Sequence, residues 1–355
     1  MPDTIEPGPR FNVLSGDNGQ GKTNLLEAIY AVCSLRSFRA SRLRDLIALG
    51  KDEARVAARV ERQGLERLYE LKIGQRSRTV RLDGKTVRPI ARYFGGFNVV
   101  LFAPEDMLVV RASPGDRRKF IDRAVFTLRP GHLLVAQDYD KTLKSRNATL
   151  KNEELSPAAR DQLLDVYDLQ AAKLGAELIS ARRSYLQGIL PLYQAAFDAI
   201  TQIGLPVSLH YECSTELPEQ DSELEAALLD AITRSRRADL ARGSSNVGPH
   251  RDLLRFSLAE QEAGSFASQG QMRAMVLAWK TAEMRLLDSR HDDPPLLLLD
   301  DVSSELDPQR NEYLFAFLRE QKSQCFITST HPSYVLLSEE RRDFRVVAGS
   351  ISNAD

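Results

Sequence analysis

One stretch near the start of the chain restricts the possible folds more than any other. Residues 11–30 read FNVLSGDNGQGKTNLLEAIY: an apolar run, a glycine-rich turn with Lys-Thr, and a segment with helical spacing. Residues 16–23 fit the GxxxxGK[ST] pattern of the phosphate-binding P-loop. Such a loop needs a strand before it and a helix after it, because backbone N–H groups and the helix N-terminus together hold the phosphate. The stretch predicts an α/β layer that binds a nucleoside triphosphate; an incidental glycine-rich turn is the alternative.

The two residues that close this loop predict its chemistry. Lys22 is placed to reach the β- and γ-phosphate oxygens, and the Thr23 hydroxyl is placed to ligate Mg²⁺. Phosphate binding alone does not define a function, so the rest of the chain must indicate what the nucleotide is coupled to.

A second chemical signature is LLLLDD at residues 296–301, an apolar run that predicts a buried strand ending in two carboxylates. Ligands bind at the carboxyl ends of parallel strands, where Asp300 is placed to hold Mg²⁺ through water. Asp301 would then orient or deprotonate a water that attacks the γ-phosphate. A strand cap followed by a turn is the alternative, but the P-loop in the same chain favours the catalytic interpretation.

The segment SQGQ at residues 268–271 stands before a run with helical spacing. Ser268 is expected to cap that helix, and a capped N-terminus with its dipole makes an anion site; alone, the segment would indicate only a capped helix. The order P-loop, SQGQ, LLLLDD and SELD is, however, that of ABC-type ATPases, in which the signature serine and glycine contact the γ-phosphate held by a second protomer. His331, after the run CFITST, lies where this class often places a switch histidine; a surface-loop histidine is the alternative.

The pattern of predicted strands and helices changes twice along the chain. From residue 11 to about residue 110, short strand-like runs alternate with helical segments, and Asp83-Gly84 between two such runs is typical of a two-residue hairpin turn. Residues 113–240 are dominated by apolar residues at three- and four-residue steps, which predicts helices. After residue 246 the α/β texture returns.

These changes predict the domain organisation. We expect an α/β fold, an ABC-type P-loop ATPase lobe with a mixed sheet and flanking helices, interrupted by a mostly helical second lobe. The first half of lobe I would span residues 1–112, the helical lobe II residues 113–245, and the second half of lobe I residues 246–355.

Composition restricts the compartment and the class of partner. The three cysteines (Cys33, Cys213 and Cys325) lie far apart, which favours a reducing cytoplasm over a disulfide framework or a structural zinc. No apolar run approaches the ~20 residues that span a bilayer, so we expect a cytoplasmic protein with no membrane partner. The net charge is −1, so an anionic partner must meet local basic patches.

Three arginine-rich clusters could supply such patches, because arginine favours phosphate contacts. A solvated helix face is the usual alternative for any single cluster, and no base-reading motif is present, so we expect contacts with the DNA backbone. The arginines of the first two clusters are the predicted DNA-binding residues, and the third cluster is a further basic run. The clusters are Arg36, Arg39, Arg42 and Arg44; Arg117, Arg118 and Lys119; and Arg234, Arg236, Arg237 and Arg242.

Taken together, these segments resemble the RecF family, bacterial recombination-mediator ATPases related to SMC-type heads. The resemblance covers nearly the whole chain. Besides the ATPase motifs it rests on RSFR after the P-loop helix, on VVLFAPEDMLVVRASPGDRRKFID at 99–122, and on NVGPHRDLL at 246–254. The last two segments are more specific to the family than the ATPase motifs are.

The resemblance implies a set of site residues and two cofactors, ATP and Mg²⁺. We add Gly16 and Asn24 to the predicted nucleotide site, and Lys22 and His331 to the predicted catalytic residues. The implied residues are Asn18, Gly19, Gly21, Lys22 and Thr23 on the phosphates; Thr23 and Asp300 on magnesium; Asp301 for hydrolysis; and Ser268, Gly270 and Gln271 as contacts from the second protomer.

One departure from the family concerns the beginning of the chain. Family members normally have a strand with an RNF-type motif well before the P-loop, whereas 15 residues precede Gly16 here. We therefore expect the first strand and part of the wall beside the adenine to be absent, as in a chain whose start codon was assigned too late or in a truncated form.

The resulting hypothesis is an ATP-switched DNA-binding protein of gap repair. ATP would close two heads into a homodimer around duplex DNA near a junction with single-stranded DNA, and slow DNA-stimulated hydrolysis would open them. The resemblance implies cooperation with RecR and RecO in loading RecA, in support of replication restart and the SOS response.

Three alternatives remain open at this point. In a nucleotide-binding subunit of an ABC transporter, the signature would follow the P-loop much sooner than residue 268. A non-hydrolysing scaffold would use ATP only as a structural ligand for DNA binding. A nucleotide kinase is the most distant alternative, since it would not need SQGQ.

Overall fold

The computed structural model describes residues 4–40, 42–94, 97–290 and 294–354. Within these ranges the helices are α1 (Lys22–Ser34), α2 (Pro114–Leu128), α3 (His132–Lys151), α4 (Pro157–Thr201), α5 (Asp221–Arg242), α6 (Ala263–Phe266), α7 (Gln269–Asp288), α8 (Val302–Glu305) and α9 (Pro308–Glu320). The strands are β1 (Phe11–Ser15), β2 (Glu53–Arg62), β3 (Leu65–Gly74), β4 (Arg78–Leu82), β5 (Lys85–Thr86), β6 (Val99–Phe102), β7 (Val207–Glu212), β8 (Leu253–Leu258), β9 (Gln261–Glu262), β10 (Leu296–Asp300), β11 (Cys325–Ser329), β12 (Arg341–Val347) and β13 (Ser350–Asn353). Short 3-10 helices occur at Leu43–Leu46, Ile90–Arg92, Pro104–Arg111 and Pro332–Tyr334.

The chain divides into two compact units. Unit 1 comprises residues 1–107 and 273–355, and unit 2 comprises residues 108–272. The sequence placed the end of the insertion at residue 245, and the structure corrects this limit. The reason is that β8 forms an antiparallel ladder with β7 and β9, so this strand belongs to the sheet of the inserted unit rather than to the ATPase lobe.

The main sheet of unit 1 has the strand order β13-β12-β1-β11-β10-β6. All neighbouring pairs are parallel except β12 and β13. The central strands are continuous apolar runs because both faces of a parallel sheet are covered; β1 is buried at every residue and β10 at all but its first. Strands β12 and β13 were not among the sequence predictions.

Helix α1 joins two cores within unit 1. Leu26, Tyr30 and Cys33 belong to the core on the parallel sheet, whereas Ala31 and Val32 pack in a second core against the antiparallel sheet β2-β3-β4-β5. The helix therefore buries residues on nearly all sides. The turn between β4 and β5 is the predicted Asp83-Gly84 hairpin turn, with left-handed φ values of 51° and 74°, and this prediction is confirmed.

Unit 2 is built on long helices and the small sheet β7-β8-β9. Helix α4 runs for 45 residues and packs with α3 and α5 around an apolar core. At Gly175 an added Cβ would lie 2.7 Å from Cδ2 of Leu228, so a larger residue would require this leucine side chain on α5 to shift. Within the described ranges no helix, α4 included, is long and apolar enough to cross a membrane.

The segment NVGPHRD, which carries much of the family resemblance, is fixed by buried partners within unit 2. His250 lies between the hydroxyl of Tyr139 at 2.8 Å and the carbonyl oxygen of Ser245 at 3.1 Å. Because a carbonyl only accepts, Nε2 carries the proton and Nδ1 accepts from the tyrosine. Burial lowers the pKa of His250 to about 4, so the imidazole is neutral at physiological pH. Asp252 accepts from the Tyr211 hydroxyl at 2.6 Å. These hydrogen bonds hold the segment in place inside unit 2.

A buried ionic network holds the helices of unit 2 together. The guanidinium of Arg146, on α3, donates to Asp168 on α4 at 2.6 Å and to Asp239 on α5 at 2.7 Å. The three side chains are each only 1% exposed. Arg146 also donates to the Ser245 hydroxyl at 2.7 Å. A charge so deeply buried must keep its partners, since an unpaired one is strongly destabilising.

This network predicts a large difference between two arginine-to-methionine substitutions. Arg146→Met removes the buried cation that Asp168 and Asp239 share, while Asp168 keeps its pair with Arg236, and should reduce the free energy of unfolding by ~3–5 kcal/mol. Arg234→Met is the matched control, because Arg234 pairs with Asp230 at the surface with 72% and 65% of their side chains exposed; exposed pairs contribute little. Urea unfolding measures both, and equal midpoints for the two variants would contradict the argument.

Candidate nucleotide-binding site

The phosphate-binding loop lies where the sequence predicted it, between β1 and α1. The helix begins at Lys22, and its N-cap is Gly21 with φ of 100°, a left-handed conformation that favours glycine. Gly16 is required for a different reason: an added Cβ would lie 2.3 Å from the carbonyl oxygen of Val346 on β12. The loop is thus held closely against the neighbouring strand.

Lys22 is folded back onto its own loop. Its side-chain nitrogen donates to the carbonyl oxygens of Gly16 at 2.5 Å and Asp17 at 2.9 Å. The residue is only 7% exposed. The ammonium group therefore lies inside the loop, beside the backbone amides that would surround a phosphate.

Asp300 connects the loop to the centre of the sheet. Its Oδ1 accepts from the Thr23 hydroxyl and from the Thr328 hydroxyl, both at 2.8 Å. Thr328 lies on β11, between β10, which ends at Asp300, and β1, which precedes the loop that leads to Thr23. The structure therefore brings Thr23 and Asp300, the two residues assigned to magnesium from the sequence, within hydrogen-bond distance at the carboxyl edge of the sheet.

Asp301 has an unusual backbone and an unsatisfied side-chain oxygen. Its φ of 47° is left-handed, and its N–H donates to the Thr328 hydroxyl at 2.9 Å. In the described part of the chain its Oδ1 is buried without a hydrogen-bond partner. Burial raises the pKa of this carboxyl above its usual range. Strained, desolvated carboxylates with free acceptor capacity are typical of catalytic groups.

His331 follows β11 at the same edge of the sheet and is exposed. It caps the short helix Pro332–Tyr334, and Nδ1 lies 2.8 Å from the Ser333 hydroxyl and 3.3 Å from the Ser333 nitrogen, which donates to it. These contacts fix Nδ1 as an acceptor. The proposed switch role of His331 stays a prediction.

The SQGQ segment forms a reciprocal cap at the start of α7. The Ser268 hydroxyl accepts from the Gln271 N–H at 3.2 Å, and the Gln271 side-chain oxygen accepts from the Ser268 N–H at 2.8 Å. This is a capping box with glutamine at its third helical residue, so the predicted N-cap is confirmed. Ser268 is exposed, and Gly270 is half-buried in the first turn. Their contact with a second protomer's nucleotide stays a prediction.

The predicted DNA-binding arginines differ in their surroundings. Arg36, Arg39, Arg42 and Arg44 are all exposed on unit 1. In contrast, the two predicted arginines on unit 2 donate to main-chain carbonyl oxygens, and burial lowers the pKa of both. Arg117 donates to Val110 at 2.7 Å and to Leu254 at 3.1 Å, and Arg118 donates to Asp252 at 2.9 Å.

The third basic run is partly internal as well. Arg236 pairs with Asp168 at 2.6 Å and with Asp165 at 2.7 Å. It thus extends the buried network of unit 2. Of the three clusters, the first is the one in which every arginine is exposed.

The basic character of the predicted first cluster continues well beyond Arg44, through residues 36–92. This segment contains sixteen lysines and arginines against seven aspartates and glutamates, in a chain whose net charge is −1. Its strands β2–β4 alternate, so one face packs on α1 and the other carries charge: Arg55 lies opposite Lys72, and Glu70 lies opposite Arg81. Counting net charge by segment and by strand face would have revealed this surface.

Comparisons with known proteins agree on one family. Residues 2–350 match the family model described as the RecF/RecN/SMC N terminal domain. A protein of Geobacter sulfurreducens named DNA replication and repair protein RecF is 40% identical over 346 residues, 97% of this chain and 93% of the relative. Its namesake in Myxococcus xanthus is 39% identical over 335 residues, 93% of this chain and 87% of the relative. The solved structure of the recombination mediator protein RecF-ATP in the RecFOR pathway is 28% identical with a TM-score of 0.88, over 99% of this chain and 93% of that one.

Proposed function

Because this chain belongs to the RecF family, we propose that it is an ATP-dependent DNA-binding protein of recombinational DNA repair. The observation that carries the proposal is the 2.8 Å contact between Thr23 of the P-loop and Asp300 at the end of β10. It joins the phosphate-binding loop to the carboxylate strand in one site. The solved relative described as RecF-ATP supports ATP as the nucleotide.

The donor set suits ATP with magnesium. The Thr23 hydroxyl and the Asp300 carboxylate are adjacent hard oxygen donors, the type that Mg²⁺ prefers. Both would be held in place by Thr328, which shares Asp300 Oδ1. Magnesium supplies neutralisation of the charge that develops on the β- and γ-oxygens. Lys22, released from the carbonyl oxygens of its loop, would donate to the same phosphates.

Asp301 would orient and deprotonate the water for hydrolysis. Its buried, unpaired Oδ1 can accept a proton or a hydrogen bond from that water. The raised pKa brings this carboxyl closer to neutral pH, as a general base requires. Slow ATP hydrolysis, stimulated by DNA, would serve as a switch rather than as metabolic catalysis.

A second copy of the chain would complete the site. Ser268, Gly270 and Gln271 lie at a capped helix N-terminus, where backbone N–H groups and the helix dipole favour an anion. We assign this anion as the γ-phosphate held by the P-loop of the partner protomer. ATP would then hold the homodimer together, and hydrolysis would release it.

The basic segment 36–92 is the proposed surface for duplex DNA near single-strand gaps. Its exposed arginines, Arg39 and Arg42 among them, suit contacts with the DNA backbone. Such contacts are expected of a protein without a base-reading motif. Arg117 and Arg118 are not carried forward, since their guanidinium groups are occupied by carbonyl oxygens.

The biological setting follows from the family. The solved relative is described as a recombination mediator protein of the RecFOR pathway. For this chain we propose a cytoplasmic protein that acts with RecR and RecO to load RecA onto gapped DNA, and so supports replication restart and the SOS response.

The first prediction from this proposal concerns assembly. Light scattering should show dimers of the wild-type protein with ATP and monomers with ADP. Lys22→Met should bind ATP weakly and stay monomeric, whereas Ser268→Arg should bind ATP normally and still stay monomeric, because only the contact across the dimer is lost. Dimers that form without nucleotide, or no dimers at all, would count against the proposal.

The second prediction concerns hydrolysis. Asp301→Asn should retain ATP binding and dimers but reduce DNA-stimulated phosphate release by ~100-fold or more, since the base is lost. Protonation abolishes the base, and the pKa of Asp301 is raised by burial. The wild-type rate should therefore decline with falling pH already above the titration range of an ordinary aspartate. A wild-type protein that dimerises with ATP yet releases no phosphate would instead be the non-hydrolysing scaffold.

The third prediction concerns DNA. The double change Arg39→Gln/Arg42→Gln should lower affinity for gapped duplex DNA and reduce the slope of log K against log salt by ~2, if each arginine neutralises one phosphate. Arg234→Gln/Arg237→Gln removes the same charge from the exposed side of α5 and is the control. Fluorescence anisotropy at several salt concentrations measures both. Equal losses in the two double variants would indicate a general charge effect and no local surface.

A further inference from the structure

The turn between β12 and β13 contacts the phosphate-binding loop from outside. Strands β12 and β13 are joined by the two-residue turn Ala348-Gly349, whose φ values of 49° and 81° are both left-handed. The Ala348 N–H donates to the side-chain oxygen of Gln20 at 2.6 Å, and the Gly349 N–H donates to the main-chain oxygen of Gln20 at 2.9 Å. One loop residue thus satisfies both N–H groups of a turn that lies 328 residues away in the chain.

The same hairpin packs against two of the loop's glycines. The Val346 carbonyl oxygen leaves no room for a Cβ at Gly16, and a Cβ at Gly21 would lie 3.4 Å from the Gly349 Cα. The hairpin thus excludes a side chain at Gly16, whereas Gly21 lies in ordinary van der Waals contact with it and is favoured as glycine by its φ of 100°. A hairpin that touches the loop at its first glycine, at Gln20 and at its last glycine restrains the whole loop.

Nucleotide binding would affect the hairpin contacts and the Lys22 contacts differently. The bonds from Lys22 to the Gly16 and Asp17 carbonyl oxygens use the nitrogen that must turn to the phosphates, so binding breaks them. The bonds from the hairpin use neither the lysine nor the inward-facing amides of the loop. We expect them to remain when nucleotide binds and to restrain the shape of the loop.

The hairpin is itself well anchored. Strand β12 pairs in parallel with β1, with Ser15 opposite Arg345, and the Ser15 hydroxyl donates to the Phe344 carbonyl oxygen at 3.3 Å. Phe344 and Val346 are buried in the core of the parallel sheet. The turn is therefore a rigid extension of the sheet.

We propose that Gln20 is a positioning residue for the nucleotide, and that the turn Ala348-Gly349 is its clamp on the phosphate-binding loop. The inference rests on the proposed ATP site and adds to it a residue that the P-loop pattern leaves free. Preorganised loops bind more tightly because less ordering remains to be done on binding. Loss of the clamp should weaken nucleotide affinity while leaving the chemical step intact.

The test compares Gln20→Met with Ser350→Ala in the full-length chain. Methionine keeps the length of glutamine but removes the acceptor for the Ala348 N–H. Its Kd for ATP and for ADP should rise ~3- to 10-fold, the loss expected for one hydrogen bond. The KM of hydrolysis should rise in parallel, with kcat changed less than ~2-fold. Ser350→Ala alters an exposed residue of the same hairpin and should bind both nucleotides like the wild type.

A second variant moves the turn itself. Two glycines inserted between Ala348 and Gly349 displace both donors from Gln20, and should weaken nucleotide binding at least as much as Gln20→Met. The thermal midpoint without nucleotide separates loss of the site from loss of the fold, since Gln20→Met should leave it unchanged. Wild-type nucleotide affinity in both variants would overturn the clamp, as would a fall in kcat without a change in KM. A wild-type protein that fails to bind ATP would overturn the proposed function instead.

Discussion

Two hydrogen bonds to one carboxylate oxygen determine the geometry of the site. Asp300 Oδ1 accepts from Thr23, at the start of α1, and from Thr328, on the strand between β1 and β10. The contacts tie together three neighbouring elements at the carboxyl edge of the sheet. Because Asp300 is 5% exposed and Thr328 is fully buried, their polar atoms must pair with each other. The position of Asp301, one residue further on, follows from this arrangement.

The sequence predicted the fold class, and the family comparisons confirm it. The P-loop and the LLLLDD strand could be predicted because the local structure determines their residue types. Close approach of the backbone requires glycines, and burial on both faces of a sheet favours leucines. Only half of the cap formed by Ser268 and Gln271 could be predicted. A serine before a helix indicates an N-cap, whereas the bond from the Ser268 N–H to the glutamine side chain depends on the glutamine rotamer.

Other features could not be predicted, because they depend on contacts between distant segments. Nothing local in GDRRKF indicates that Arg117 and Arg118 donate to carbonyl oxygens of a later strand and turn. The end of the insertion was placed too early because β8 reads as a strand where the α/β pattern returns, and only its pairing with β7 shows that it belongs to the sheet of unit 2. Gln20 occupies a variable position of its motif, and its role follows only from a hairpin 328 residues away.

The strand order has a consequence for how the protein is made. Strand β1, which leads into the phosphate-binding loop, has β11 on one side and β12 on the other, and both come from residues beyond 324. During synthesis from the N-terminus, β1 must therefore wait unpaired while the contiguous unit 2 is translated and can fold as a unit. Such long-range pairing is slow and leaves apolar strands exposed meanwhile. A ribosome-bound chain that lacks its last segment therefore lacks both strands that flank β1 and the turn that contacts Gln20 of the phosphate-binding loop.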